Sequence, residues 1–286
     1  MRRRLDHHQP GRRPAGRPRR LALPEGTSQV TMRIRTDIAH NSRVWNHWLG
    51  GKDNYAVDQQ VGDRIAGMFP SIAEVARADR AFLRRSVSYL AGEAGIRQFL
   101  DIGTGLPTAD NTHEVAQRIA PDARIVYVDN DPVVLTHARA LLAGTPEGVT
   151  EYVDADAHDP DLILRSAAAT LDLRRPVAVM MLGILNFVLD TDQARSIVRT
   201  LMDALPSGSH LVLTHPTLEF GGEGNREAMA FWNEHATPPI TARGRMEFAS
   251  FLEGLELVEP GIVSCARWGA PAAAEVPQFG AVGRKP

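Results

Sequence analysis

Several features are scarce in this 286-residue chain, and each scarcity excludes something. A single cysteine, Cys265, leaves no internal disulfide and no cysteine-rich zinc site, so no metal is expected and a reducing, cytoplasmic setting fits. No apolar run reaches the roughly 18 residues that span a bilayer, so no membrane is expected as a partner. Lysine is almost missing: of 32 basic residues only Lys52 and Lys285 are lysines, which makes the compact ammonium of Lys52 inside "GGKDNY" worth explaining. No internal repeat at solenoid period is present.

What is present divides unevenly. Residues 1–31 carry eight arginines against two acids and no periodic apolar pattern, the signature of a disordered Arg-rich tail. Its apolar stretch is too short for a secretory signal. Without the tail the formal charge goes from −2 to −8, and an acidic body offers nucleic acid no basic groove to continue the contact. From residue 32 to about 95 the pattern is helical. "TDIAHNSRVWNHWL" puts Ile38, Val44, Trp45, Trp48 and Leu49 near one face, and a glycine pair ends it. Asp53 is placed to cap a second helix striped by Tyr55, Val57, Val61 and Ile65, and Ser71 with Glu74 has the spacing of a capping box for a third.

From 96 to 286 the period changes. "QFLDIG", "RIVYVDND", "TEYVDAD", "PVAVMMLGIL" and "HLVLTHP" read as strands; helices are expected at about 111–119, at 132–143 and over "TDQARSIVRTLMDAL". This alternation implies an α/β fold, a doubly wound, mostly parallel sheet with helices on both faces, behind an N-terminal helical lid. A helical insertion falls at about 218–250, "LELVEPGIV" reads as a strand, and "QFGAVGR" as the last one.

In such a sheet, ligands bind beyond the carboxyl ends of the strands, so the loop "DIGTGLPT" after the first strand is the place to look. It lacks the lysine of a P-loop, and Thr108 stands where a dinucleotide fingerprint has its third glycine. Asp101 instead projects toward a cationic group, while Gly103 and Gly105, with Thr104 between them, let backbone approach a flat ligand. The next strand ends at Asp129 and Asn130, suited to ribose hydroxyls. The third ends with Asp156, placed for an exocyclic amine, and Ala157, which leaves room for its ring. Together they describe a nucleoside bearing an amino acid; each acid taken singly can equally cap the helix that follows.

These residues resemble class I S-adenosylmethionine-dependent methyltransferases, whose first motif is acid-x-Gly-x-Gly. More narrowly, "WLGGKDNY", "RAFLRRSVSYLAGEAGIRQFLDIGTGLPTADNTHEVAQ", "VYVDNDPVV" and "LELVEPG" look like the S-adenosyl methyltransferase family long catalogued as a domain of unknown function. The resemblance implies a Rossmann-like domain holding S-adenosylmethionine, with Asp101 near its amino group, Asp129 on the ribose and Asp156 near the adenine. Asn186 in "GILNFVLD" departs from the histidine that the resemblance leads one to expect. Lys52 with the amides after Gly51, or Arg43 or Trp45, is a candidate partner for the methionine carboxylate; Gly50 and Gly51 also suit a plain inter-helix turn.

The acceptor is expected to be a small molecule, in a cavity built from some of Trp45, Trp48, Tyr55, Phe187, Phe220 and Trp232. His215 is the first candidate base, then His113, then His158; each is also a plausible cap or satisfied histidine. Two other functions fit less well: an S-adenosylmethionine-binding regulator without turnover, and a nicotinamide dinucleotide oxidoreductase.

Overall fold

The computed structural model describes residues 35–107, 109–141 and 144–286; the Arg-rich segment 1–31 and Thr108 lie outside the described residues. Ala39–His40 forms a two-residue strand, β1, ahead of three helices, α1 (Asn41–Trp48), α2 (Ala56–Met68) and α3 (Ile72–Gly92). Strands and helices then alternate: β2 (Gln98–Ile102), α4 (Thr112–Ile119), β3 (Arg124–Asp129), α5 (Pro132–Leu141), β4 (Val149–Asp154), α6 (Pro160–Ala167), β5 (Ala178–Leu182), α7 (Thr191–Asp203) and β6 (His210–Pro216). The chain finishes with α8 (Gly222–His235), β7 (Ala236–Thr237), α9 (Arg245–Ser250), β8 (Glu256–Leu257), β9 (Val263–Ser264) and β10 (Gln278–Arg284).

The main sheet runs β4-β3-β2-β5-β6-β10-β8, with β9 also on β10. β2 to β6 pair in parallel, and β10 enters antiparallel beside β6. This is the doubly wound, mostly parallel sheet that the sequence pattern implied. Its order reverses between β2 and β5, the place where such sheets open a crevice. Both faces are covered, which is why β2, β3 and β5 are apolar on both sides. Phe99, Ile125, Met180 and Val212 pack toward α3 and α4; Leu100, Val126, Val179 and Leu213 pack toward the layer of α6, α7 and α9.

Local expectations fail at three helix starts or strands. α2 begins at Ala56, and the Tyr55 amide donates to Asp58 Oδ2 at 2.8 Å, so Asp53 is not its N-cap. Ser71 makes no side-chain cap on α3; its carbonyl accepts from the amides of Glu74 and Val75, and the chain enters the helix through a turn. "LELVEPGIV" yields only the short β8 and β9, since Pro260 between them has no amide to continue a ladder.

α3 is the element that most directly shapes the site. Val75, Phe82, Leu83, Val87 and Leu90 form its buried stripe, and Asp79 falls on the same stripe, four residues after Val75 and three before Phe82. A carboxylate is therefore carried into the interior on an apolar face.

Candidate functional site

Strand alternation decides which strand-end side chains reach the crevice. On β2, Asp101 shares its face with Phe99, toward α3 and α4; on β6, Thr214 shares that face with Val212. His215, one residue on, shares the other face with Leu211 and Leu213 and packs on Phe248 and Phe251.

Over the first face lies a cavity of about 160 Å³. α1 supplies Ser42 and Trp45, α3 supplies Asp79 and Arg80, β2 supplies Asp101, and the turn after it supplies Gly103, Thr104 and Gly105. A second cavity of about 100 Å³ shares Asn41, Ser42, Gly103, Gly105 and Ile184 with the first. It is lined further by Asp129, Asn130, Ala157 and Phe187. Gly103 and Gly105 adopt φ of +78° and +65°, a region that side-chain-bearing residues avoid. A Cβ on Gly103 would collide with Ile184, whereas one on Gly105 would meet nothing within 4 Å. The first glycine allows the wall to close, and the second leaves bare backbone beside open space.

Buried acids set the electrostatics. Asp101 accepts from Thr112 Oγ1 at 2.6 Å through Oδ2, and its other oxygen accepts no hydrogen bond among the described residues. Burial pushes its carboxyl up to about 6. Asp129 accepts the amides of Gly105 and Asp131, both at 2.9 Å, and burial raises it too. Each of its oxygens keeps one lone pair for a ligand. Burial also acts against ionisation of Asp131, but hydrogen bonds from His40, Ser42 and the Val133 amide outweigh it and bring that carboxyl down to about 2. Ser42 donates to Asp131 Oδ2 at 2.6 Å, fastening α1 to the loop after β3.

Asp101, Gly103, Thr104 and Gly105 thus gather on one cavity, and Asp129, Asn130 and Ala157 on the other. Asp156 stands outside the lining, where Oδ2 accepts from Asn130 at 2.8 Å and Oδ1 from His158. Trp45, Trp48 and Trp232 line the larger cavity and Phe187 the smaller. Tyr55 is exposed beneath the Arg43 guanidinium, and Phe220 packs on Phe279, so neither belongs to the cavity wall.

Other expectations are corrected. Arg43 is buried and spent: Nε donates to Asp58 Oδ2 at 2.8 Å, and Nη2 donates to the carbonyls of Arg35 and Ile38. Gly51 serves the turn, because a Cβ there would strike the side chain of Asn46, whose oxygen holds the Asp53 amide. Lys52 is exposed on that turn and lines neither cavity. His215 is sealed, with Nδ1 donating to the Pro216 carbonyl and Nε2 accepting from Arg243, both at 2.9 Å; burial lowers it to about 4. The hydroxyl of Tyr127 accepts the His113 amide and meets His113 Nδ1 at 2.9 Å, away from both cavities. None of the three histidines considered as a base reaches the crevice.

Three lining residues escaped the sequence reading or gained weight. Arg80 reaches from α3 to the carbonyls of Ala109 and Asp110, each at 3.1 Å, beside Asp101. Asp79 was legible as a charge on an apolar stripe. Asn186 lies in the turn after β5, buried, with a side-chain oxygen that has no hydrogen-bond partner. No described helix is long and apolar enough to cross a membrane.

A family described as S-adenosyl methyltransferase matches residues 27–286. The chain is similar to the crystal structure of a DUF574 family protein from Streptomyces avermitilis, at 46% identity and TM-score 0.85, over 89% of this chain and 100% of that one. It is also similar to a candidate methyltransferase from Thermobifida fusca, at 39% identity and TM-score 0.79, over 88% and 96% of the two chains. Among curated proteins none matches.

Proposed function

The chain belongs to the S-adenosyl methyltransferase family, and we propose that its two adjoining cavities seat S-adenosylmethionine for methyl transfer to a small-molecule acceptor. The observation that carries this reading is the division of labour between the cavities. The smaller has an acid with spare acceptor capacity and two small or flat neighbours, Ala157 and Phe187, suited to a ribose and a base. The larger has Asp101 and Arg80 together, opposite charges matched to the ammonium and carboxylate of an amino acid. Among the described residues the two linings contain no lysine and a single guanidinium, little for a pyrophosphate to meet. Bare backbone at Gly105, at the join of the cavities, leaves space for the sulfur that links the two halves.

Bound there, S-adenosylmethionine supplies a methyl carbon already activated by its sulfonium. The chain's own task is then positioning and exclusion of water. Asp129 accepts the ribose hydroxyls, Asp101 holds the amino group, and Arg80 replaces a backbone carbonyl partner with the carboxylate. Trp45 and Trp48, packed edge-on at 5.8 Å, and Trp232 wall off the remaining space. A volume this small suits a small acceptor better than a macromolecule.

Calorimetric titration tests the reading. S-adenosylmethionine and S-adenosylhomocysteine should bind at one site per chain and NADH should not. Failure of the first two to bind would sink the proposal.

A further inference from the structure

Once Asp101 and Arg80 are assigned to the amino-acid end of the cofactor, the larger cavity still holds one charged group, Asp79. This step rests on the reading above. Asp79 Oδ1 accepts from Thr214 Oγ1 at 2.6 Å and from Gln278 Nε2 at 2.5 Å, which fix the carboxylate from β6 and β10. Oδ2 accepts no hydrogen bond among the described residues. Close by, the Gly183 amide donates to the Thr214 carbonyl, so the turn bearing Asn186 starts beside the residue that anchors Asp79. Asn186 is 6% exposed and lines the same cavity, but its unpartnered side-chain oxygen is sealed and does not open onto that space. The same cavity is lined by Trp45, Trp48, Met229, Trp232 and Ile240.

An unspent carboxylate oxygen in an apolar, tryptophan-walled cavity calls for a ligand that brings a donor and a positive charge. We propose that the methyl acceptor is an amine on an apolar body, its ammonium bound by Asp79 Oδ2. An ammonium has no lone pair. Passing one proton to Asp79 gives a neutral amine with its lone pair free and a neutral carboxylic acid, with atoms and charge conserved. Burial already pushes the Asp79 carboxyl upward, opposed by Thr214, Arg80 and Gln278, which favours that neutral acid. An alcohol would leave the carboxylate without a counter-charge, and a carboxylate ligand would be repelled.

The test is calorimetry on the full chain saturated with S-adenosylhomocysteine. The probes are 2-phenylethylamine, tryptamine and hexylamine, each against its alcohol, with phenylacetate as the anionic control. At least one amine should bind about tenfold or more tighter than its alcohol, and phenylacetate should not bind. Asp79→Asn keeps an oxygen for Thr214 and Gln278, and should abolish the amine preference while changing S-adenosylhomocysteine affinity by less than about twofold. Amines no tighter than alcohols, or no amine bound, would overturn the assignment while leaving cofactor binding intact. Loss of S-adenosylhomocysteine affinity in folded Asp79→Asn would overturn it too, by returning Asp79 to the cofactor. Should that variant not fold, the amine-to-alcohol ratio in the unaltered protein decides alone.

Discussion

Asp101 at the end of β2 and His215 at the end of β6 are both buried titratable side chains at the carboxyl edge of the sheet. Their surroundings differ in what is left over. Asp101 gives one oxygen to Thr112 and keeps the other toward a cavity. His215 has both ring nitrogens engaged, and Arg243, which holds one of them, also bonds the carbonyls of Leu185 and Val188. Burial shifts both groups toward their neutral forms, so a shifted titration does not separate site from scaffold. Unspent hydrogen-bonding capacity facing open space does.

The strongest way to break this contrast is at Arg243. Arg243→Ala strands His215 Nε2 and several carbonyls inside the protein, and should cost about 3–5 kcal/mol of folding stability. Denaturant titration measures that loss; the protein that remains folded should bind S-adenosylhomocysteine normally. A large affinity loss in the folded fraction would move the β6 end into the site.

Asp101→Asn should do the reverse, with an affinity loss of about 2–3 kcal/mol by calorimetry at neutral pH. The pH dependence has a definite sign. Asp101 holds its proton more tightly when folded, near 6 against 3.8, so ionising it costs stability as pH rises from about 4 to about 6. The unliganded Asn variant should lack that decline. Ligand affinity runs the other way, since the amino group needs the carboxylate. It should rise with pH up to about 6 and level off, with part of the slope lost in Asp101→Asn and the rest left to Asp129, which burial also raises.

Asp129→Ala should weaken the same ligand by about 1–3 kcal/mol if its carboxylate accepts the ribose hydroxyls. Unchanged affinity would reduce Asp129 to bracing the amides of Gly105 and Asp131. The smallest effect belongs to Lys52. Lys52→Ala should shift affinity by less than about 0.5 kcal/mol, since this exposed ammonium lines neither cavity. A tenfold loss would show that the glycine turn reaches the cofactor.

Sequence made the sheet legible because its strands are long, apolar and regularly spaced; the last, Gln278–Arg284, coincides with "QFGAVGR". The acids at strand ends were legible for the same reason, since a boundary of an apolar run is easy to locate. The histidines misled because proximity to a strand end does not give the face: one residue along β6 separates Thr214, which anchors Asp79, from His215, which is sealed away. Arg43 misled because a cation near a glycine turn carries no mark of whether Asp58 has already claimed it, and Lys52 because nothing in the turn motif says which way it faces. Arg80 and Asp79 are hard to read because the helical apolar period of α3 marks a buried face and carries no sign that a charge set within it lines a cavity.

The long-range ties of α3 bear on how the chain folds. Asp79 is held by Gln278, and Arg85 donates to the carbonyls of Cys265, Ala266 and Trp268, about 180 to 200 residues further along. β1 likewise waits for β7. Three helices made early in synthesis therefore gain their final partners only when the last strand arrives, a high contact order that favours slow folding. The acceptor carboxylate is set by the same late event. Unfolding of the last strand alone should release Asp79 before the β2–β4 half of the sheet loses its protection against hydrogen exchange.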